Sequence, residues 1–163
     1  METGEGVCYL SLITDAYSHK IVGWAVGSTL EMTYPLEALS MALGTLQGEE
    51  SKHLIHHSDR GCQYCSMAYV SELKKRGINI SMTQSGDPLE NAVAERANGI
   101  LKTEWLYKMR IETREECLSI LERIIGFYNK ERPHMSIGMQ APEVVHTQVG
   151  EQKRCWKNYY DMS

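Results

Sequence analysis

Several things are scarce in this 163-residue chain, and each scarcity excludes something. No apolar run approaches the roughly 18–20 residues of a membrane span, so no membrane contact is expected. The opening Met1-Glu2-Thr3-Gly4-Glu5-Gly6 holds neither a basic nor an apolar stretch. A secretory leader is therefore not expected there, and a cytoplasmic location is. Cysteines number five, an odd count, mostly far apart. That argues against a disulfide scaffold and for reduced thiols. Positive charge is not in excess either: 17 Lys+Arg face 21 Asp+Glu, a net of −4. A protein that binds nucleic acid over its whole surface is thereby excluded. The balance is uneven, with 6 against 11 in residues 1–91 and 11 against 10 in residues 92–163. Any nucleic-acid contact should be a local strip.

What is present reads as one globular unit, with 42% hydrophobic and 23% charged residues. Residues 7–14 and 21–27 predict two strands joined by a turn at 15–20. Leu36, Leu39, Leu43 and Leu46 recur at helical spacing behind Pro35. A short strand at 53–58 ends at Asp59, a helix spans about 66–76 before Gly77, and a strand follows at 78–83. Ser85-Gly86-Asp87 reads as a loop, and Asp87-Pro88-Leu89-Glu90 as a helix start running to about Lys108. Thr113-Arg114-Glu115-Glu116 opens a last helix that stops before Pro133. Strands alternating with helices, then helices alone, predict an α/β fold with a mixed sheet flanked by helices.

Asp59 and Glu95 stand out by position. Asp59 closes a strand, where α/β sheets place their sites, although a turn acid capping local amides reads the same way. Asn91, Glu95, Asn98 and Lys102 form one polar stripe on the helix after Pro88, which alone reads as a solvated face. Two carboxylates from different elements could instead hold Mg²⁺, a hard ion that prefers oxygen. His56-His57 with Cys62-x-x-Cys65 raises structural zinc. Neighbouring strand side chains point to opposite faces, however, and a second ligand pair is missing. Lys102, Lys108, Arg110 and Arg114, interleaved with Trp105 and Tyr107, read equally as a nucleic-acid strip or as a charged helix face.

Taken together, these segments resemble a known family. His57-Ser58-Asp59-Arg60-Gly61-Cys62-Gln63-Tyr64 resembles the H-S-D-x-G-x-Q-Y signature of insertion-sequence transposases of the retroviral-integrase type. Residues 85–95 resemble their S-x-x-G-x-P-x-D-N-A-x-x-E segment, and Leu101-Lys102-Thr103-Glu104 their L-K-x-E. Tyr128-Asn129-Lys130-Glu131-Arg132-Pro133-His134, with Gly138 and Pro142, matches the Y-N-x-x-R-P-H…G…P ending. Asp15 and Lys20-Ile21-Val22-Gly23-Trp24 match the early hairpin. Thirty-five residues separate Asp59 from Glu95, the spacing of the D,D-35-E acids.

The resemblance implies a ribonuclease-H-like fold with three antiparallel strands, then two parallel ones. It implies an integrase-like catalytic core over residues 1–147 and a polar tail over 148–163. It implies metal-dependent cleavage and strand transfer of DNA, with Mg²⁺ (or Mn²⁺) at Asp59 and Glu95, and a homo-oligomer. Lys102, Asn91 and Arg60 are the implied DNA contacts. Some features depart from the pattern. The family's first acid lies on a strand that would precede Thr3, so the first strand and its Asp are expected to be missing. Asp15 sits at the far edge of the sheet and is read as structural. Glu90 replaces the usual Asp, and Cys62 a usual small polar residue. The upstream helix-turn-helix that reads transposon ends is likewise expected to be missing. The chain as written is therefore expected to be inactive. The competing readings are a non-catalytic DNA-binding or self-associating remnant of a transposase and a zinc-stabilised interaction domain.

Overall fold

A computed structural model describes residues 1–46, 50–83 and 91–150. The expected 85–87 loop, the helix start at Asp87-Pro88, Glu90 and the tail beyond Gly150 lie outside the described residues.

The chain opens with β1 (Glu2–Thr3) folded back on β2 (Gly6–Val7). β3 (Tyr9–Thr14) then runs antiparallel to β4 (Ile21–Gly27), with Leu12 opposite Trp24. The strand expected over 7–14 is thus split. Cys8 exchanges backbone hydrogen bonds with Met1 at 2.7 and 2.8 Å and turns into the core, while Val7 pairs within the small β1–β2 ladder. The α1 helix (Thr33–Gly44) lies close on β4 because Gly23 has no side chain. A Cβ there would sit 2.1 Å from the Ala38 carbonyl oxygen.

The second unit is parallel. β5 (Ile55–Ser58) pairs with β6 (Asn79–Met82), His57 beside Ser81. The crossover between them is α2 (Met67–Lys75). The Ser66 hydroxyl caps it, accepting from the Tyr69 amide at 3.2 Å, and Gly77 takes the left-handed turn that ends it, at φ +70°. The antiparallel and parallel parts of the expected sheet are both present. Among the described residues, no ladder joins β3 to β5.

Two apolar clusters hold these layers. Leu39, Leu43, Tyr69, Leu73 and Ile78 pack α1 onto α2. Ile100, Leu101, Leu121, Ile124 and Ile125 pack α3 (Ala92–Ile100) and α4 (Arg114–Lys130) onto Cys8, Ile21 and Val26 of the hairpin region. The helix expected to run on to Lys108 does so with a change of winding. Leu101–Trp105 is a π-turn and Leu106–Lys108 a tighter 3-10 turn. The wide turn brings Leu101 and Leu106, five residues apart, into one core, at 0% and 4% exposed. Thr113 caps α4 as predicted, its hydroxyl accepting from the Glu116 amide at 3.1 Å. The Glu116 carboxylate reaches one residue further back than a capping box would, to the Glu112 amide at 2.8 Å.

The chain then returns to the hairpin through α5 (Pro142–His146). Buried Asn129 accepts from the Ile21 amide and donates to the Ile21 carbonyl, both at 2.9 Å. The Tyr128 hydroxyl donates to the His19 carbonyl at 3.1 Å. Asp15 accepts from the Ser18 amide at 2.9 Å and lies 3.2 Å from His146 Nδ1, so it holds its own turn to α5, in line with the structural reading. Arg132 clasps Glu104 through two nitrogens, Nε at 2.8 Å, and the His134 ring packs edge-on against Tyr128 at 4.8 Å.

Candidate active site

Asp59 follows the last residue of β5, at the C-terminal end of the parallel pair. Its carboxylate is exposed, and Oδ1 accepts from the Gly61 amide at 2.8 Å. A Cβ on Gly61 would lie 2.9 Å from Asp59 Oδ1 and 2.9 Å from Gln63 Nε2. The side-chain ends of Asp59 and Gln63 thus lie close over Gly61, and a larger residue there would push them aside. Arg60 Nε donates to the Thr83 carbonyl at 2.8 Å, anchoring the same turn to the end of β6. Ser58, one residue before Asp59, is buried, and its hydroxyl has no partner among the described residues.

The second carboxylate comes from α3. Asn91 occupies the N-cap position without a side-chain capping bond, and Glu95 stands exposed in the first turn. An acid there is favoured by the amides of the helix N-terminus. Further along the stripe, Asn98 and Lys102 line a cavity of about 200 Å³. Gln63 and Tyr64, from the turn after Asp59, line the same cavity, with Tyr9, Leu10 and Ser11 of β3. The two acid-bearing segments thus face each other across one space. Asp59, Arg60, Asn91 and Glu95 themselves lie outside its lining.

Electrostatics tie the parts together. Burial, and then the nearby Asp59 charge, push the Tyr64 phenol above its ordinary range. Asn98 Oδ1 is buried and has no hydrogen-bond donor among the described residues. At this end the stripe is not the solvated face its periodicity suggested. Asn98, Gln63 and Tyr64 line the cavity without having been singled out as candidates by the motifs. The last two stood inside the H-S-D-x-G-x-Q-Y segment, so the signal was there.

Other candidates go elsewhere. His56 meets the Tyr69 hydroxyl at 3.0 Å, while His57 meets Ser81 at 3.0 Å. Among the described residues no three His, Cys, Asp or Glu side chains could share a metal ion. Arg114 turns inward, donating to the Val26 carbonyl at 3.0 Å with its guanidinium over the Tyr34 ring, and Arg110 pairs with Glu112. The basic strip therefore loses Arg114 to packing.

Two sequence patterns described as integrase core domain match the chain, over residues 1–88 and 76–142. The chain belongs to the integrase core domain family. This integrase core is 34% identical over 142 residues to the transposase for insertion sequence element IS629 of Shigella sonnei, covering 87% of the chain and 47% of that protein. It is 31% identical over 144 residues to transposase InsF for insertion sequence IS3A of Escherichia coli K12, covering 88% of the chain and 49% of that protein. The integrase core thus spans about half the length of these curated relatives. Among solved structures it superimposes on the HTLV-2 integrase catalytic core domain in complex with magnesium, TM-score 0.63 at 16% identity, over 84% of this chain and 83% of that one. It matches a chain of the simian T-cell lymphotropic virus intasome with TM-score 0.72 at 15% identity, over 98% of this chain and 55% of that one. At such identities these neighbours show the fold, which is α/β and ribonuclease-H-like. Among the described residues no helix is long and apolar enough to cross a membrane.

Proposed function

We propose that this integrase core serves DNA transposition, by cleaving phosphodiesters and transferring strands with Mg²⁺ (or Mn²⁺) at Asp59 and Glu95. The observation that carries the reading is the shared cavity: the turn after Asp59 and the helix of Glu95 line it from two sides. The donor chemistry fits a hard divalent ion. Asp59 uses Oδ1 within the protein, and Glu95 makes no hydrogen bond or ion pair among the described residues. A bound ion would supply charge stabilisation at the scissile phosphate. Lys102, with Asn91 and Arg60, contacts the DNA backbone. The catalytic core is residues 1–147 and the polar tail 148–163. Among the described residues β3 pairs only with β4 and β5 only with β6, and the open edge of each supports self-association into a homo-oligomer.

The chain as written supplies two of the three acids that such a site uses. Losing about 4 kcal/mol of transition-state stabilisation would cut the rate roughly a thousandfold, so these residues alone do not sustain strand transfer. Donor-end cleavage and strand transfer can be assayed with the chain as given and with an added N-terminal W-x-x-D-I-T-Y strand, an end-binding domain being supplied in both. Activity in the extended protein only, abolished by Asp59→Asn, is expected. DNA binding without cleavage in the extended protein would overturn the catalytic reading and leave a DNA-binding module.

A further inference from the structure

The turn that presents Asp59 contains a C-x-x-C pair which nothing so far uses. Cys62 and Cys65 are both exposed, whereas Cys8 and Cys117 are buried. The Gly61 carbonyl accepts from the Tyr64 amide at 2.9 Å and from the Cys65 amide at 3.3 Å, so residues 61–65 form one hydrogen-bonded turn. In a helical turn, side chains three residues apart stand on one side with Cβ atoms roughly 5–6 Å apart. A disulfide asks for about 3.5–4.5 Å, so closure needs an inward movement of about 1–2 Å. Cys65 already has a fixed seat, its Sγ lying 3.7 Å from Met82 Sδ on β6.

We propose that Cys62 and Cys65 form a reversible dithiol–disulfide site, through which low-molecular-weight disulfides alter the turn that holds Asp59. The thiolate of one cysteine attacks a sulfur of glutathione disulfide, expelling one glutathione thiolate and leaving a mixed disulfide. The second cysteine, as thiolate, attacks the protein-side sulfur and expels the second glutathione. The two protein thiols together give up two protons and two electrons, and one glutathione disulfide becomes two glutathione thiols. The consequence is local. The ends of the Asp59 and Gln63 side chains both lie close over Gly61, where a Cβ would stand 2.9 Å from each. Drawing Cys62 and Cys65 together moves the backbone on which both groups rest, and Gln63 and Tyr64 line the cavity. The buried thiols are an internal control. Burial and neighbouring Cys8 push the Cys117 thiol up to about 11, which keeps it unreactive.

The test uses the intact chain in graded mixtures of oxidised and reduced glutathione, quenched with acid, alkylated in denaturant and digested with trypsin. One tryptic peptide, Gly61–Lys74, carries both cysteines and no other. It should appear unalkylated and two hydrogens lighter as the mixture becomes oxidising, and dithiothreitol should reverse this. The peptides of Cys8 and Cys117 should stay alkylated throughout. Cys62→Ser and Cys65→Ser should each give only a glutathione adduct on the remaining cysteine. Amide exchange across Gly61–Cys65 should slow in the oxidised wild-type protein. Stable adducts on both cysteines, earlier oxidation of Cys8 and Cys117, or a bridge to Cys155 would overturn the site. A disulfide that leaves amide exchange in the turn unchanged would overturn the coupling to Asp59. None of these readouts depends on metal or DNA.

Discussion

Replacing Asn129 by alanine should cost this protein more stability than its position near the end of α4 suggests. Its amide makes two bonds, to the N–H and the C=O of Ile21, both at 2.9 Å. Ile21 is 3% exposed and Asn129 8%, so water does not replace either bond. Each buried backbone group left without a partner costs about 1–3 kcal/mol, or about 2–6 kcal/mol for the pair. Taking about 3 kcal/mol, the ratio of folded to unfolded protein falls roughly a hundredfold. With a urea dependence of about 2 kcal/mol per molar, the unfolding midpoint drops by about 1.5 M. Urea denaturation followed by circular dichroism measures this directly. Asn129→Asp keeps an acceptor for the Ile21 amide but sets a carboxylate against the Ile21 carbonyl, and should be at least as damaging. The salt dependence of DNA binding by the folded fraction should not change. A loss below about 0.5 kcal/mol, with the urea dependence unaltered, would refute the clamp.

Three further outcomes are expected. Lys102→Ala should weaken binding to DNA of any sequence and lower the slope of log affinity against log salt by about 0.9, as loss of one phosphate contact does; equilibrium titrations over a salt series measure it. Calorimetric titration of the chain as written should find at most one weak Mg²⁺ site, removed by Asp59→Asn, because two carboxylates leave most of the octahedral shell to water. His134 is 5% exposed, and burial, followed by the charges of Arg132 and His19, holds its pKa at about 4 rather than 6.5. The unfolded chain therefore binds the proton more readily than the folded one, and stability falls as pH drops from about 6.5 towards 4, by up to about 3 kcal/mol. His19 and His56 are shifted in the same direction, so urea midpoints measured between pH 7 and pH 4 should flatten in His134→Phe without becoming level.

Local signals reached far into this fold. Thr113 announces its helix, and Gly77 the stop of another, because each acts through backbone atoms a few residues away. The cavity was less visible. Gln63 and Asn98 are thirty-five positions apart, and nothing in either segment says that they face one another. Asn98 was read as solvated because periodicity identifies a helix's apolar stripe and is silent about what the polar stripe meets. The split between Val7 and Cys8 was hidden for a related reason: an unbroken apolar run does not tell which neighbour takes each backbone group. Arg114 had the composition of a nucleic-acid contact and became a packing residue, since its partners, Val26 and Tyr34, come from another part of the chain.

The clamp at Ile21 also has a schedule. Asn129 follows Ile21 by 108 residues, and His146 follows Asp15 by 131. At the usual pace of translation, about 5–20 residues per second, the hairpin waits roughly 5–20 s for its clamp after it has been synthesised. A two-stranded hairpin is marginal by itself, so for that interval β3 and β4 depend on α1 and on whatever shields them at the ribosome. The helices that complete the core arrive last, and contacts of such long sequence separation make folding slow. A ribosome that stalls before residue 129 would hold most of an integrase core with its hairpin unclamped, a nascent chain that chaperones and proteases would find before it found its fold.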